Sequence, residues 1–424
     1  MIDQKRFERQ EVGALKWRKA GGVGTLEYPT GLGKTFVAVN IIMHRMSIKD
    51  PNRRYVVVVP RQELKRQWEE IIDDAGIPNC SVHVINGLVQ DAVEIDCDLL
   101  ILDEIHRYAS EEFRKVFSIV NYRSILGLTA TLERMDGKHQ YIATHCPIVD
   151  TITPEEARKN GWTSDYIEYA LKIKMTPSEK LEYDRIHKGF SFYFGKFYHN
   201  FDTVNRCLNH EATRIAWATQ HGWDPSLGNQ HPWAPNMVMY YALRCFNHMQ
   251  ERKKFLYNLP SKIDAVKAIV NNLQGRKTIV FSESTDFADD IATALKGKKV
   301  AAYHSKIKPK SLRDKIVEKF KLGYLRIITA AKALDEGFDV PDVEVAIMAS
   351  YTSNPTQRVQ RRGRAVRKWK FKDGSIKKPW IIYLYTEGTQ EEKWLTKALK
   401  NSINVIYVDD AKDVGRKTKV TPFG

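Results

Sequence analysis

Pro29-Thr30-Gly31-Leu32-Gly33-Lys34-Thr35 is the stretch around which this 424-residue chain is organised. The apolar run 23–28 before it reads as a buried strand. Helical spacing begins after it, pairing Val37 with Ile41 and Ala38 with Ile42. A strand, a tight glycine turn carrying Gly-Lys-Thr, and a helix are what a nucleotide phosphate-binding loop requires. Gly31 and Gly33 let backbone N–H groups close around phosphates at the positive end of the helix. Lys34 is long enough to reach the β- and γ-phosphates, and the Thr35 hydroxyl is a ligand for Mg²⁺. Tyr28 stands where the general pattern asks for glycine. Such a loop needs a metal-binding acidic strand elsewhere in the chain.

That strand is 99–102, which runs into Asp103-Glu104-Ile105-His106. Asp103 is placed to hold Mg²⁺ through water, and Glu104 to polarise the water that attacks the γ-phosphate. Around this pair lie further apolar runs expected as buried strands, at 55–59, 82–85 and 124–128. The last ends in Thr129-Ala130-Thr131, two hydroxyls able to bridge the acids to another part of the molecule. Between the second and third strands, Leu64, Trp68, Ile71, Ile72 and Ala75 mark an amphipathic helix. Ahead of the loop, Gln10 carries an amide that can both donate to and accept from an adenine edge.

Composition narrows the partners. The length calls for two or three domains, and 43% apolar residues suffice for packed cores. No run of eighteen apolar residues occurs, which excludes an ordinary transmembrane helix. The start leads into no apolar segment of a secretory signal. Five scattered cysteines suggest reduced thiols in a cytosolic compartment. A formal charge of +16 favours a polyanion. Nucleic acid fits better than membrane, since no basic amphipathic helix stands out.

Residues 146–258 change character: aromatics and histidines crowd in and the alternation of strand and helix disappears. Thr176-Pro177-Ser178-Glu179 is a capping box that starts a helix, a second helix is expected over 237–256, and 224–235 reads as an exposed loop. Cys207 with His210 and Cys245 with His248 repeat one spacing. It offers a tetrahedral Zn²⁺ site as one reading and buried cysteines beside surface histidines as the other.

Alternation returns from Ser261, with strands expected at 278–282, 300–304, 326–330, 343–349 and 380–385. This second parallel-sheet domain has no phosphate loop. It contributes Gln357-Arg358-Val359-Gln360-Arg361-Arg362-Gly363-Arg364-Ala365-Val366-Arg367, on which Arg364 and Arg367 are placed to neutralise charge developing on the γ-phosphate across a cleft. Downstream, 367–378 mixes lysines with Trp369 and Phe371, a composition suited to phosphate contact and base stacking. The polar end, from Ala411, is expected to fray.

Together these stretches resemble a superfamily 2 helicase, over nearly the whole chain except 146–258. Pro29 to Thr35 is similar to its motif I and Asp103-Glu104-Ile105-His106 to its motif II, a variant of the DEAD/DEAH box. Thr129-Ala130-Thr131 looks like motif III, 334–341 like motif V, and 360–367 like motif VI. Asp103 to Arg107 with Gly127 to Arg134 most resembles the XPB-like DNA repair group, and phage branch-processing helicases look similar. The resemblance implies an α/β fold of two RecA-like parallel-sheet domains, with ATP bound between them and a mainly helical insertion. The expected division is 1–145, 146–258, 259–410 and a tail 411–424.

The resemblance also implies adenine contact at Gln10, loop contacts at Thr30, and coupling of the ATP site to nucleic acid by His106 and Gln360 with the two threonines. Gly337 and Asp339 would approach the nucleotide from the second domain. Arg61 and Gln62 would lie along the nucleic-acid strand, with Ser282 and His304 on the facing track. Two positions depart from the family: Asn86 stands near where a threonine usually contacts the phosphate backbone, and Ala331 where threonine is common in motif V. The function expected is an ATP- and Mg²⁺-dependent DNA helicase or translocase on single-stranded, forked or branched DNA, in repair, recombination or replication. RNA is the alternative polymer, and an ATP-held nucleic-acid clamp without unwinding the alternative activity.

Overall fold

A computed structural model describes residues 3–133, 137–331, 340–350, 355–399 and 405–416, without the side chains of 355–358. The first sheet is built from β1 (Val23–Glu27), β2 (Tyr55–Val59), β3 (Cys80–Val84), β4 (Ile95–Asp103), β5 (Val120–Thr129) and β6 (Ile148–Thr151). The second holds β7 (Ile167–Ile173), β8 (Thr278–Ser282), β9 (Val300–Tyr303), β10 (Ile327–Ala331), β11 (Val345–Met348), β12 (Trp380–Thr386) and β13 (Val405–Val408). Their orders are β3-β2-β4-β5-β1-β6 and β13-β7-β12-β11-β8-β10-β9, with every pairing parallel. Parallel strands are covered on both faces, which is why β2, β8, β10 and β11 are buried along their whole length and read as continuous apolar runs. Each sheet carries an apolar core on either side.

Register brings the chemistry to one edge. In the first sheet β4, β5 and β1 are neighbours; Asp103 lies opposite Leu128, and Thr129 opposite Glu27. The carboxyl ends of three adjacent strands thus deliver the acidic pair, the threonines and the phosphate loop to one crevice, where ligands bind in open parallel sheets.

The stretch 146–258, expected as one mainly helical block, carries two sheet strands, with the short helix Pro154–Lys159 between them, before its long helices begin. β6 pairs with β1 in the first sheet, and β7 pairs with β12 and β13 in the second. The helices Pro177–Gly195, Phe201–Asn209, Glu211–Gln220 and Pro235–Tyr257 therefore leave from the second sheet and return to it. β13 was not expected either. Partners of β7 lie more than two hundred residues away in sequence, beyond the reach of local pattern. The capping box at Thr176 forms as expected, and the Glu179 carboxylate also takes both the backbone N–H (2.9 Å) and the hydroxyl of Ser261. One side chain so clasps the entry and exit of the helical segment. Its core holds Cys207 and Cys245 among aromatics. Among the described residues no three His, Cys, Asp or Glu gather as metal ligands, so the zinc reading finds no cluster here. No helix among them is long and apolar enough to cross a membrane.

A fully buried ion pair ties that segment to β12. Lys262 Nζ donates to Glu391 (2.7 and 2.9 Å) and to the Leu256 carbonyl (2.8 Å), while Glu391 also accepts from the Thr386 N–H (3.0 Å) and hydroxyl (2.8 Å). Removing one partner strands a buried charge. Lys262→Met is expected to lower unfolding stability by about 3–5 kcal/mol, read as a drop in urea midpoint, and Lys262→Met with Glu391→Leu to recover most of the loss. A single variant as stable as wild type would contradict this.

Candidate active site

The phosphate loop opens where β1 ends. Gly31 (φ 87°) and Gly33 (φ 79°) adopt the left-handed conformation that side chains avoid, and Lys34–Phe36 begins the following helix. That helix widens into a π turn over Val37–Met43, with Val37, Ala38, Ile41 and Ile42 buried. Tyr28, the departure from the glycine pattern, is fully buried, and its hydroxyl donates to Asp150 (2.7 Å). Asp150 also pairs with Arg9 (2.6 Å) and Lys16 (2.6 Å), so Tyr28 anchors the loop's root to the helix Gln4–Lys19. A Cβ on Gly13 would meet the Tyr28 hydroxyl at 1.8 Å; the glycine makes room for it.

The same helix holds the loop from outside. Gln10 is buried and gives its amide N–H to the Leu32 carbonyl (2.6 Å), while Arg6 donates to the Gly31 carbonyl (2.8 Å). The amide expected to read adenine thus braces the loop. Lys34 rests on the Tyr28 carbonyl at 3.2 Å.

Facing the loop, Asp103 is buried and both its oxygens are engaged. Oδ2 accepts from the Trp68 indole (2.9 Å) and Oδ1 from the Glu104 backbone N–H (3.0 Å). Burial, then the neighbouring Glu104 charge, push its pKa up to about 6, opposed by the Trp68 hydrogen bond and by Lys34. Glu104 adopts φ 51°, a left-handed backbone costing on the order of 1–3 kcal/mol for a residue with a side chain. Its Oε2 is buried and, among the described residues, has no hydrogen-bond partner. Buried carboxylate oxygens are normally satisfied, so this one, with only the His106 ring nearby at 3.4 Å, keeps capacity to accept a hydrogen bond. Hard oxygen donors at Thr35 and Asp103 suit a small divalent cation.

Behind the acids stands a hydroxyl relay. Thr129 Oγ1 donates to the Thr131 carbonyl (2.7 Å) and accepts from the Thr131 N–H (3.2 Å). Its proton is therefore committed, and His106 Nδ1, at 3.1 Å, must be the donor to it. That same nitrogen lies 3.4 Å from Glu104 Oε2. His106, Thr129, Thr131 and Glu104 are thus brought into one cluster.

The second sheet's arginine helix, Pro355–Ala365, lies against the loop. A Cβ on Gly363 would stand 2.9 Å from the Thr30 Cβ, and one on Gly31 would touch the Arg367 stem at 3.8 Å. Arg361 is turned inward to Glu283 (2.8 Å) and Arg362 toward Glu168 (3.7 Å). Arg364 and Arg367 are half-buried beside the inter-lobe contact. Gln360 is buried, with an amide nitrogen that has no partner among the described residues. Gly337 and Asp339 lie outside the described residues.

On another face, Arg61 and Gln62 are exposed at the start of helix Gln62–Asp74, and the next residue, Glu63, pairs across the lobes with Lys310 (3.5 Å). The two residues expected opposite them are not exposed. Ser282 is fully buried with its hydroxyl on the Ser284 carbonyl (2.8 Å), and His304 is buried against Asp289 (3.0 Å). Asn86 is exposed and Ala331 buried. Trp68 and Gly363 were not singled out in the sequence as site residues: Trp68 falls on an apolar stripe that hides its N–H, and Gly363 acts by lacking a side chain.

The description "Type III restriction enzyme, res subunit" matches residues 5–92 and 86–134, and "Helicase conserved C-terminal domain" matches 261–368. The chain is 29% identical over 410 residues to "DNA 3'-5' translocase XPB2" of Sulfurisphaera tokodaii, covering 92% of this chain and 83% of that protein. It is 23% identical to a "51.5 kDa protein" of a Lactococcus phage, covering 81% of this chain and 62% of the phage protein. In fold it is similar to the helicase domain of Pyrococcus furiosus Hef, with a TM-score of 0.53 at 16% identity over 92% of this chain and 97% of that one.

Gly363→Val is expected to push the arginine helix off Thr30 and slow nucleotide hydrolysis about 10²-fold, the cost of roughly 1 Å of misplacement, with thermal stability little changed. Turnover at the wild-type rate would show that the close approach is dispensable.

Proposed function

We propose that this chain, which belongs to the superfamily 2 helicases and is related to XPB, is an ATP-driven DNA translocase or helicase acting on duplex, forked or branched DNA. The observation that carries the reading is the open Glu104 Oε2, held by a strained backbone between the phosphate loop and His106. A carboxylate in that position takes a proton from water as the water attacks the γ-phosphate. Gly31, Gly33, Lys34 and Thr35 bind the phosphates, with Thr30 at the lobe boundary and Gln10 bracing the loop.

Thr35 and Asp103 would hold Mg²⁺, which supplies charge neutralisation on the phosphate oxygens when bound. Arg364 and Arg367 stabilise the transition state from the second lobe. His106 senses whether Glu104 is engaged and passes that state to Thr129 and Thr131. Arg61 and Gln62 are exposed donors for a phosphate backbone, and Gly337 and Asp339 stay assigned to the nucleotide by resemblance. Ser282 and His304 would act through backbone or through movement, since both side chains are buried. The division we propose keeps a nucleotide-binding lobe and a second lobe from which the helices of 177–257 project. Hydrolysis releases the lobes, and alternating grip turns each cycle into a step along the strand.

ATP turnover is expected to rise with DNA oligomers more than with RNA of matched sequence; strict dependence on RNA would overturn the choice of polymer. Glu104→Gln is expected to lose at least about 10²-fold in turnover while still binding nucleotide, and undiminished turnover would remove Glu104 from the role. Trp68→Phe, which leaves Asp103 one donor short, is expected to raise the Mg²⁺ concentration for half-maximal activity about 10-fold.

A further inference from the structure

Lys377 is 1% exposed, although its neighbours Lys368, Lys370, Lys372 and Lys378 are all exposed. A lysine is rarely buried without partners, and this one has two. Its Nζ donates to the Ala365 carbonyl at 2.8 Å and to the Pro341 carbonyl at 2.5 Å. Ala365 ends the arginine helix, where carbonyls have no intrahelical donor. Pro341 follows directly on the segment that contains Gly337 and Asp339.

The next two carbonyls are held as well. Ser164, on the crossing between the lobes, gives its N–H to Val366 (2.9 Å) and its hydroxyl to Arg367 (3.0 Å). Three consecutive carbonyls, 365 to 367, are therefore each fixed by a donor from outside the helix. Lys377 itself is set by a small hairpin: its N–H bonds Trp369 (3.0 Å), Phe371 bonds Ser375 (2.9 Å), and Lys370 bridges Ile376.

We propose that Lys377 is a positioning residue for ATP hydrolysis, holding the backbone that carries Arg364 and Arg367 beside the phosphate loop. This rests on the roles given to those arginines above. Burial, with a contribution from Arg367, pushes the amine down to about 7 against the pull of Asp342 and Glu344. Its hydrogen bonds, available in either protonation state, carry the effect. It touches no reacting atom, and it acts through where the arginines stand.

The test replaces Lys377 with methionine, which fills the space without a donor. For DNA-stimulated ATP hydrolysis, kcat is expected to fall about 10²-fold with KM for ATP within about twofold, since the phosphate loop is untouched. In an Arg364→Ala/Arg367→Ala background the same change is expected to cost nothing further, because its effect runs through those side chains. Ser164→Ala, a milder cut of the same clamp, is expected to lower kcat in the same direction at unchanged KM. Wild-type kcat in Lys377→Met, or a loss that multiplies with that of the arginine variants, overturns the proposal. Wild-type protein without any DNA-stimulated turnover would instead overturn the motor reading on which it rests.

Discussion

Everything the two lobes do together depends on how near the arginine helix can come to the phosphate loop, and that distance is set by a missing side chain. At Gly363 a single methyl would lie 2.9 Å from Thr30, inside van der Waals contact. Backbone meets loop there, and the Arg367 stem lies against Gly31 on the same surface. Gly363 is glycine for close approach, and Gly31 for its left-handed φ. A longer residue at 363 would hold the cleft ajar and keep charge on one lobe from reaching charge on the other.

Opposite that contact, the first lobe supplies a site whose parts come from three adjacent strand ends. Parallel pairing of β4, β5 and β1 does the assembling, so no loop has to reach far. Strain is concentrated at Glu104, the residue whose carboxylate must face the crevice while the chain turns into the His106 segment. The surroundings hold it there: Asp103 accepts its N–H, and the close-packed apolar strands beneath cannot follow it. The His106–Thr129 bond places one switchable proton donor between the acid and the end of β5.

The glycine loop, the acidic strand and most central strands were legible in the sequence because each is local: a run of apolar residues, then turn or acid. What was not legible is long-range or depends on one atom. β7 is an apolar run like the others, but its sheet is decided by β12 and β13, far down the chain. Tyr28 looked like a defect in a motif and is an anchor, since its hydroxyl finds Asp150 on β6. Gln10 was singled out for its amide, and the amide is used on Leu32. The resemblance places Ser282 and His304 on a surface, yet Ser282, at the end of buried β8, bonds Ser284, and His304, just past half-buried β9, is itself buried against Asp289. Polarity alone does not say which side of a strand end a side chain takes.

A motor of this kind must change the distance between its lobes with each nucleotide state. The most direct measurement is energy transfer between dyes at Ile48→Cys and Tyr324→Cys, exposed positions on opposite lobes, in a Cys80→Ser background that removes the one native thiol not fully buried. With DNA present, a non-hydrolysable ATP analogue is expected to hold one short distance, and ADP to return the longer, broader distribution of the free protein. The same distance in all three conditions would contradict a cycle driven by closing and opening of the cleft.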